Sequence, residues 1–167
     1  MKILLLNPPW NVGGKKGVRA GSRWPHLKTD QERDYLPFPF FLAYTSSLLK
    51  QNKFDVHLID AIAEDLTDEE FFERIKKFSP TVILIETSTP SLELDLGYAK
   101  KIKKFLDSKI VFVGCDNNIT NPQFLLDNSF IDFVIYGEYE FPFLNLVKGL
   151  KKGLDLNKVP GLIYRDS

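Results

Sequence analysis

Residues 82–91 read Val-Ile-Leu-Ile-Glu-Thr-Ser-Thr-Pro-Ser, an apolar run followed by polar side chains and a proline. The run at 82–85 is apolar at successive positions, which is typical of a strand that is buried on both faces. Thr89-Pro90 then predicts the start of a helix, because proline is favoured in the first helical turn. This stretch therefore predicts one strand–turn–helix unit of a parallel sheet that is covered by helices.

Apolar runs of the same kind recur along the chain. Further strands are predicted at 3–6, 56–59, 110–113, 133–135 and 162–164, and helices at 36–50, 67–78, 89–106, 122–128 and 139–152. This alternation predicts an α/β fold, a three-layer Rossmann-like (flavodoxin-like) doubly wound parallel sheet. We expect five main strands in the order 2-1-3-4-5, because the chain has no room for two full mononucleotide-binding halves. Residues 1–152 are predicted to form this domain, and 153–167 a linker and extra strand toward a further domain.

The composition excludes several classes of protein. The chain has 167 residues, 22 Lys and Arg against 22 Asp and Glu, and 44% hydrophobic residues, which is typical of a globular domain. Zero net charge gives no general attraction to nucleic acid or anionic lipid, so neither is an expected partner. The longest uncharged stretch, 35–49, is shorter than the roughly 20 residues of a bilayer span, and we expect a cytoplasmic protein. A single cysteine, Cys115, excludes a disulfide framework and any iron–sulfur site built from several cysteines of this chain.

Polar residues follow each predicted strand, where ligands bind in doubly wound sheets. These tips are Asn7-Pro8-Pro9, Asp60-Ala61, Glu86-Thr87-Ser88-Thr89, the segment 114–118 and Gly137-Glu138. Glycine lets a ligand approach the backbone closely, and hydroxyls can hydrogen-bond to it. The alternative is that these glycines and hydroxyls are turn and cap residues without a ligand. Several such tips on one edge of the sheet favour a shared ligand.

The connection after the first strand is unusually long. It runs from Asn7 to about Tyr35, whereas such loops usually have about 2–6 residues. Between Pro8 and Thr29 it has no acidic residue, and it contains Lys15, Lys16, Arg19, Arg23 and Lys28, together with Trp24 and His26. This pattern predicts a lid that meets an anionic or amide-rich ligand, with Trp24 packed over it. A solvated loop without ligand contact is the alternative.

The sequence resembles the N-terminal cobalamin (vitamin B12)-binding domain of radical-SAM enzymes, of the anaerobic Mg-protoporphyrin ester cyclase-like and class B methyltransferase-like kinds. The stretches that carry the resemblance are 1–9, 19–25, 35–44, 58–63, 86–91, 113–114, 137–140 and 160–165. They cover nearly the whole chain in order. The resemblance implies a Rossmann-like domain that holds cobalamin at the strand tips.

Carried over by position, the resemblance assigns roles to single residues. Asn7, Pro8 and Pro9 would lie against the corrin or its nucleotide tail. Thr87, Ser88 and Thr89 would hydrogen-bond the tail. Gly114 and Gly137 would admit the cofactor because they lack side chains. The other candidate cofactor-binding residues are Arg23, Trp24, Glu86, Cys115 and Glu138, and no residue is assigned to catalysis or to a metal.

Three departures from related proteins limit what the chain can do. The Asp-x-His-x-x-Gly box does not follow the first strand, so the resemblance implies a base-off cobalamin without a histidine ligand from this chain. After the fourth strand, Gly114-Cys115-Asp116-Asn117-Asn118 replaces the Gly-Pro-His of many relatives. The C-x-x-x-C-x-x-C motif is absent. S-adenosylmethionine and a 4Fe-4S cluster would therefore come from a radical-SAM catalytic domain in cis or trans, and the module would not be catalytic alone.

Two other functions fit the same fold. A receiver-like regulatory domain needs a phosphorylatable aspartate after the third strand, where this chain has Glu86. A degenerate Rossmann-like interaction domain would keep the fold and bind no cofactor. Flavin binding is a weaker alternative, in which Trp24 and Tyr139 would stack on the ring.

Overall fold

The structure is a computed structural model that describes residues 1–22, 24–29, 35–114 and 117–165. The strands are β1 (Lys2–Asn7), β2 (Asn11–Val12), β3 (Lys15–Val18), β4 (His26–Leu27), β5 (Asp55–Asp60), β6 (Val82–Thr87), β7 (Lys109–Gly114), β8 (Phe133–Ile135) and β9 (Leu162–Tyr164). The α-helices are α1 (Phe40–Gln51), α2 (Asp68–Phe78), α3 (Leu92–Lys103), α4 (Pro122–Asp127) and α5 (Glu140–Lys152). None of these helices has the length and apolar character that crossing a membrane requires.

The main sheet has six strands in the order β5-β1-β6-β7-β8-β9. The first five of these are parallel, and β9 pairs antiparallel with β8 at the edge. Counted among themselves, the five parallel strands have the predicted order 2-1-3-4-5. The predicted α/β fold is therefore confirmed. The division of the chain at residue 152 stays a prediction.

The sheet has a core on each face, and this explains the uninterrupted apolar runs. In β1, Leu4 and Leu6 pack toward α2 and α3, whereas Ile3 and Leu5 pack toward α1 and α5. All four side chains are fully buried. Because consecutive side chains of a strand point to opposite faces, a strand between two helical layers is apolar at every position.

Local chemistry sets where two of the helices begin. Thr67 caps α2, and Thr67 and Glu70 form the predicted capping box, each bonding the backbone N–H of the other. The helix predicted from residue 36 begins instead at Phe40. Pro37 and Pro39 account for the difference, because proline disfavours helical geometry in the residue before it.

The long connection after β1 folds into a small antiparallel sheet, with the order β2-β3-β4. Trp10 is buried under this sheet, and its indole ring packs closely against Gly17. A Cβ atom at position 17 would lie 2.1 Å from the ring. The sequence did not predict this sheet, since strands of two to four residues are too short to show a periodic pattern. Residues 17–20 of the connection are thus buried, whereas residues 11–15 are exposed.

Candidate functional site

The carboxyl ends of the parallel strands bring most of the predicted site residues to one edge of the sheet. The N-terminal ends of α1, α3 and α5 lie at the same edge, because helices in this fold run antiparallel to the strands. The edge has two unlike parts. We call the ends of β5 and β1, with residues 17–20 packed over them, the closed half. We call the tip of β8, with the first turns of α1 and α5, the open half.

Arg19 organises the closed half. Its side chain is 1% exposed, and Nη1 lies 2.6 Å from the Asp95 carboxylate. The same nitrogen donates to Ser91 Oγ at 2.9 Å, Nε donates to Asn7 Oδ1 at 3.0 Å, and Nη2 donates to the carbonyl oxygen of Pro8 at 2.8 Å. One guanidinium therefore joins the long connection to the end of β1 and to the first turn of α3.

Asp95 is the second centre of this buried network. Besides Arg19, the hydroxyls of Thr87 and Ser91 donate to its carboxylate at 2.7 and 2.8 Å. Burial raises the pKa of the Asp95 carboxyl, and Arg19, Thr87 and Ser91 act against this rise because they stabilise the ionised form. Ser88 joins the network through Ser91, with the two Oγ atoms 2.8 Å apart.

The remaining space in the closed half is small. Asn7 Nδ2 donates to Asp60 Oδ1 at 2.8 Å, and these two residues with Arg19 line a hollow of about 10 Å³. Such a volume admits about one water molecule. A macrocycle does not fit inside the closed half.

These contacts change the interpretation of several predicted residues. The side chains of Asn7, Thr87 and Ser88 are buried and hydrogen-bonded within the protein, and their cofactor contacts stay a prediction. The lid prediction is wrong for Arg19, because its charge is paired with Asp95 inside the protein. Lys16 pairs with Asp65 at 2.7 Å on the surface, and its contact with a ligand stays a prediction.

Packing against the neighbouring strand β6 leaves room only for glycine at position 114. Gly114 has φ +138°, and a Cβ atom here would lie 2.0 Å from the carbonyl oxygen of Thr87 on β6. The absence of a side chain is thus explained by packing within the sheet. Gly137 differs, because it has φ +82° and no atom lies within 4 Å of a Cβ built there.

The open half exposes aromatic side chains. Phe41 is 47% exposed and Phe141 is 67% exposed, at the starts of α1 and α5. We call the exposed aromatic residues of this region the aromatic rim: Phe38, Phe40, Phe41, Tyr44, Tyr136 and Phe141. Large apolar side chains grouped on a surface mark binding sites in soluble proteins.

Glu86 and Tyr139 lie at the base of the open half. Tyr139 Oη donates to Glu86 Oε2 at 2.7 Å, and the rings of Tyr139 and Phe41 have centroids 6.3 Å apart. Burial raises the pKa of the Glu86 carboxyl, and the bond from Tyr139 and the charge of Arg19 only partly oppose this. A neutral carboxylic acid at this position can donate a hydrogen bond as well as accept one.

The other predicted residues are spread over the edge. Pro8 and Pro9 are buried, whereas Thr89 and Glu138 are exposed. Trp24 is 78% exposed, and its packing over a ligand stays a prediction. Arg23 and Cys115 lie outside the described residues. Among the described residues, no three His, Cys, Asp or Glu side chains are grouped as metal ligands would be.

Sequence reasoning missed Asp95, although a signal was present. Asp95 lies three residues after Leu92 and four before Ala99, both on the buried face of α3. A charged residue within an apolar helical stripe is rarely buried without a partner, so it predicts a buried ion pair. Phe41 and Tyr139 carried no comparable signal, because aromatic residues at helix starts are common in cores.

Comparison with known proteins identifies the family. The family model described as "B12 binding domain" matches residues 32–147, which is more than half of the chain. The chain belongs to the B12-binding domain family. The resemblance seen in the sequence is thereby confirmed.

Relatives of this B12-binding domain include larger proteins. The chain is 32% identical over its whole length to an uncharacterized methyltransferase of Pyrococcus horikoshii, of which it covers 33%. It is 28% identical, over 98% of its length, to the anaerobic magnesium-protoporphyrin IX monomethyl ester cyclase of Rubrivivax gelatinosus, of which it covers 28%. The chain thus spans about a third of the length of the curated relatives it matches.

A solved structure supports the fold. The radical S-adenosylmethionine methyltransferase TsrM from Kitasatospora setae, solved with cobalamin and a 4Fe-4S cluster bound, superposes with a TM-score of 0.66. The match covers 99% of this chain and 27% of TsrM, at 18% identity. At this identity the similarity shows a shared fold.

The two halves differ in whether they fit a cobalamin. The closed half is filled by its own hydrogen-bonded side chains. The open half presents the aromatic rim, free space at Gly137 and the Glu86 carboxyl. These features fit a large, flat ring laid against the surface, with polar contact at its base.

Proposed function

We propose that this B12-binding domain binds cobalamin against its open half and acts with a radical-SAM catalytic domain, in cis or trans. The observation that carries the proposal is the exposed aromatic rim together with the open space at Gly137, at the ligand-binding edge of a domain of this family. Radical-SAM relatives support the partner domain, which would hold S-adenosylmethionine and the 4Fe-4S cluster. Bound cobalamin would supply a cobalt centre for methyl-group transfer.

The residues of the open half have distinct parts in this proposal. Phe41 and Phe141 would cover the apolar faces and edges of the ring, which removes apolar surface from water. Gly137 would let the ring approach the backbone, since no side chain occupies the space above it. The cobalamin would be base-off and would receive no histidine ligand from this chain.

Cobalamin binding at the rim can be measured with the purified protein. Purified protein mixed with hydroxocobalamin should shift the corrin absorption and co-elute with it on gel filtration. Phe141→Asp should weaken binding at least about tenfold, because it removes apolar contact and places a charge against the ring. Phe141 is 67% exposed, so this change should leave the core intact. Binding would be measured by absorption titration.

Leu154→Asp is the matched control for this test. Leu154 is 56% exposed and lies just beyond the C-terminal end of α5, at the opposite edge of the sheet. The Leu154→Asp variant should bind hydroxocobalamin as tightly as the unmodified protein does. Equal affinities of all three proteins would contradict a site at the rim.

A degenerate interaction domain is the second candidate function. It is favoured by the closed half, where the hydroxyls of Thr87 and Ser88 are already hydrogen-bonded to groups of the protein. The same titration separates the two functions. Protein that binds no hydroxocobalamin, in oxidising or reducing buffer, would support this second candidate and reject the first.

A further inference from the structure

We propose that the Glu86 carboxyl donates a hydrogen bond from Oε1 to an oxygen acceptor of the bound ligand, at the base of the aromatic rim. This inference rests on the proposed cobalamin-binding function. It names the chemistry by which the buried end of the site would recognise its ligand.

The geometry leaves one oxygen of Glu86 available. Tyr139 donates to Oε2, and within the described part of the chain no group donates to or accepts from Oε1. Glu86 is 9% exposed, yet Oε1 is not among the enclosed polar atoms that lack a partner. Oε1 therefore has some contact with solvent, although Glu86 as a whole is buried.

Burial of Glu86 favours the protonated acid, and it is the main cause that raises the pKa of this carboxyl. The bond from Tyr139 and the positive charge of Arg19, from the long connection, oppose this rise. The negative charges of Asp60 from β5 and Glu140 from α5 add to it.

The position of the proton follows from the bond to Tyr139. Because Oε2 accepts from the phenol, the acid hydrogen belongs on Oε1, the oxygen that has contact with solvent. A hydroxyl donor of this kind pairs with a carbonyl or phosphate oxygen. The carboxamides of a corrin and the phosphodiester of its nucleotide tail both offer such an acceptor. Ionisation of Glu86 would remove the donor and repel the acceptor.

The test compares Glu86→Gln with the unmodified protein across pH. Gln keeps the shape, accepts from Tyr139 through its oxygen and donates through its nitrogen at every pH. Hydroxocobalamin affinity would be titrated from about pH 5 to about pH 9. The unmodified protein should bind more weakly as pH rises, by up to about tenfold per pH unit above the pKa of Glu86. Glu86→Gln should keep its affinity, so the ratio of the two affinities cancels any titration of the ligand itself.

Two further variants complete the design. Glu86→Ala removes the donor and should weaken binding about tenfold at low pH. Glu73→Gln is the matched control, because it removes an exposed carboxylate on α2 and should follow the unmodified protein at every pH.

Hydroxocobinamide, which lacks the nucleotide tail, identifies the acceptor. A retained pH effect places it on the corrin, and a lost effect places it on the tail.

The outcomes separate the inference from the function it rests on. No binding by the unmodified protein at any pH would reject cobalamin binding itself. Binding with parallel pH profiles for the unmodified protein and Glu86→Gln would overturn the role of Glu86 alone. Weak binding of Glu86→Gln at every pH would also overturn the proposed role of Glu86, because it would indicate that an ionised carboxylate is needed.

Discussion

Arg19→Met is expected to lower the free energy of unfolding by about 3–5 kcal/mol, the loss typical of a broken buried ion pair. Methionine fills much of the same volume, but it leaves the Asp95 carboxylate buried without its cation. Asn7 and Ser91 lose a donor at the same time. Urea denaturation followed by circular dichroism would measure the change. The expected loss is a large part of the stability of a domain of this size.

An exposed ion pair provides the matched control. Arg74 pairs with Glu64 on the surface, where the side chains are 48% and 40% exposed. Arg74→Met should change the free energy of unfolding by less than about 1 kcal/mol, because solvent screens this pair. Adding Asp95→Leu to Arg19→Met should recover part of the lost stability, since no unpaired charge then remains. Equal small losses for Arg19→Met and Arg74→Met would contradict the buried network.

Gly114→Ala is expected to destabilise the domain by about 3 kcal/mol or more, through steric overlap and backbone strain together. The new Cβ would lie 2.0 Å from the carbonyl oxygen of Thr87, at the last pair of the β6–β7 register. The two strands can relieve this overlap only by breaking that pair. In addition, side chains rarely adopt φ +138°. Thermal and urea denaturation would measure the loss.

Gly137→Ala separates strain from overlap. Gly137 also has a positive φ, of +82°, but a Cβ there meets no atom within 4 Å. Its substitution should cost only about 1 kcal/mol, the penalty of the left-handed backbone. If the two alanine variants lost the same stability, overlap with Thr87 would not be the reason for glycine at position 114.

Much of the fold could be predicted from the sequence. The apolar runs and the helical stripes depend on local periodicity, and the order of the five parallel strands follows from chain length and from the handedness of crossovers. The α2 capping box could be predicted equally well, because Thr67 and Glu70 are only three residues apart and bond within one helical turn. The small sheet after β1 could not be predicted, because its strands β2, β3 and β4 are too short to show a periodic pattern of apolar residues.

The candidate site was predicted only in part. The sequence placed Thr87, Ser88 and Gly137 at the right edge of the sheet, because the ends of parallel strands always meet there. It could not show that Arg19 bonds Asp95, 76 residues away, and thereby closes one half of that edge.

The layered architecture, the strand order and the family resemblance all follow from periodic patterns and short motifs of the sequence. The folded structure was needed to show which polar residues of the edge bond to each other. Their hydrogen bonds and ion pairs depend on distances of about 3 Å between groups far apart in the chain, and no local pattern specifies such distances.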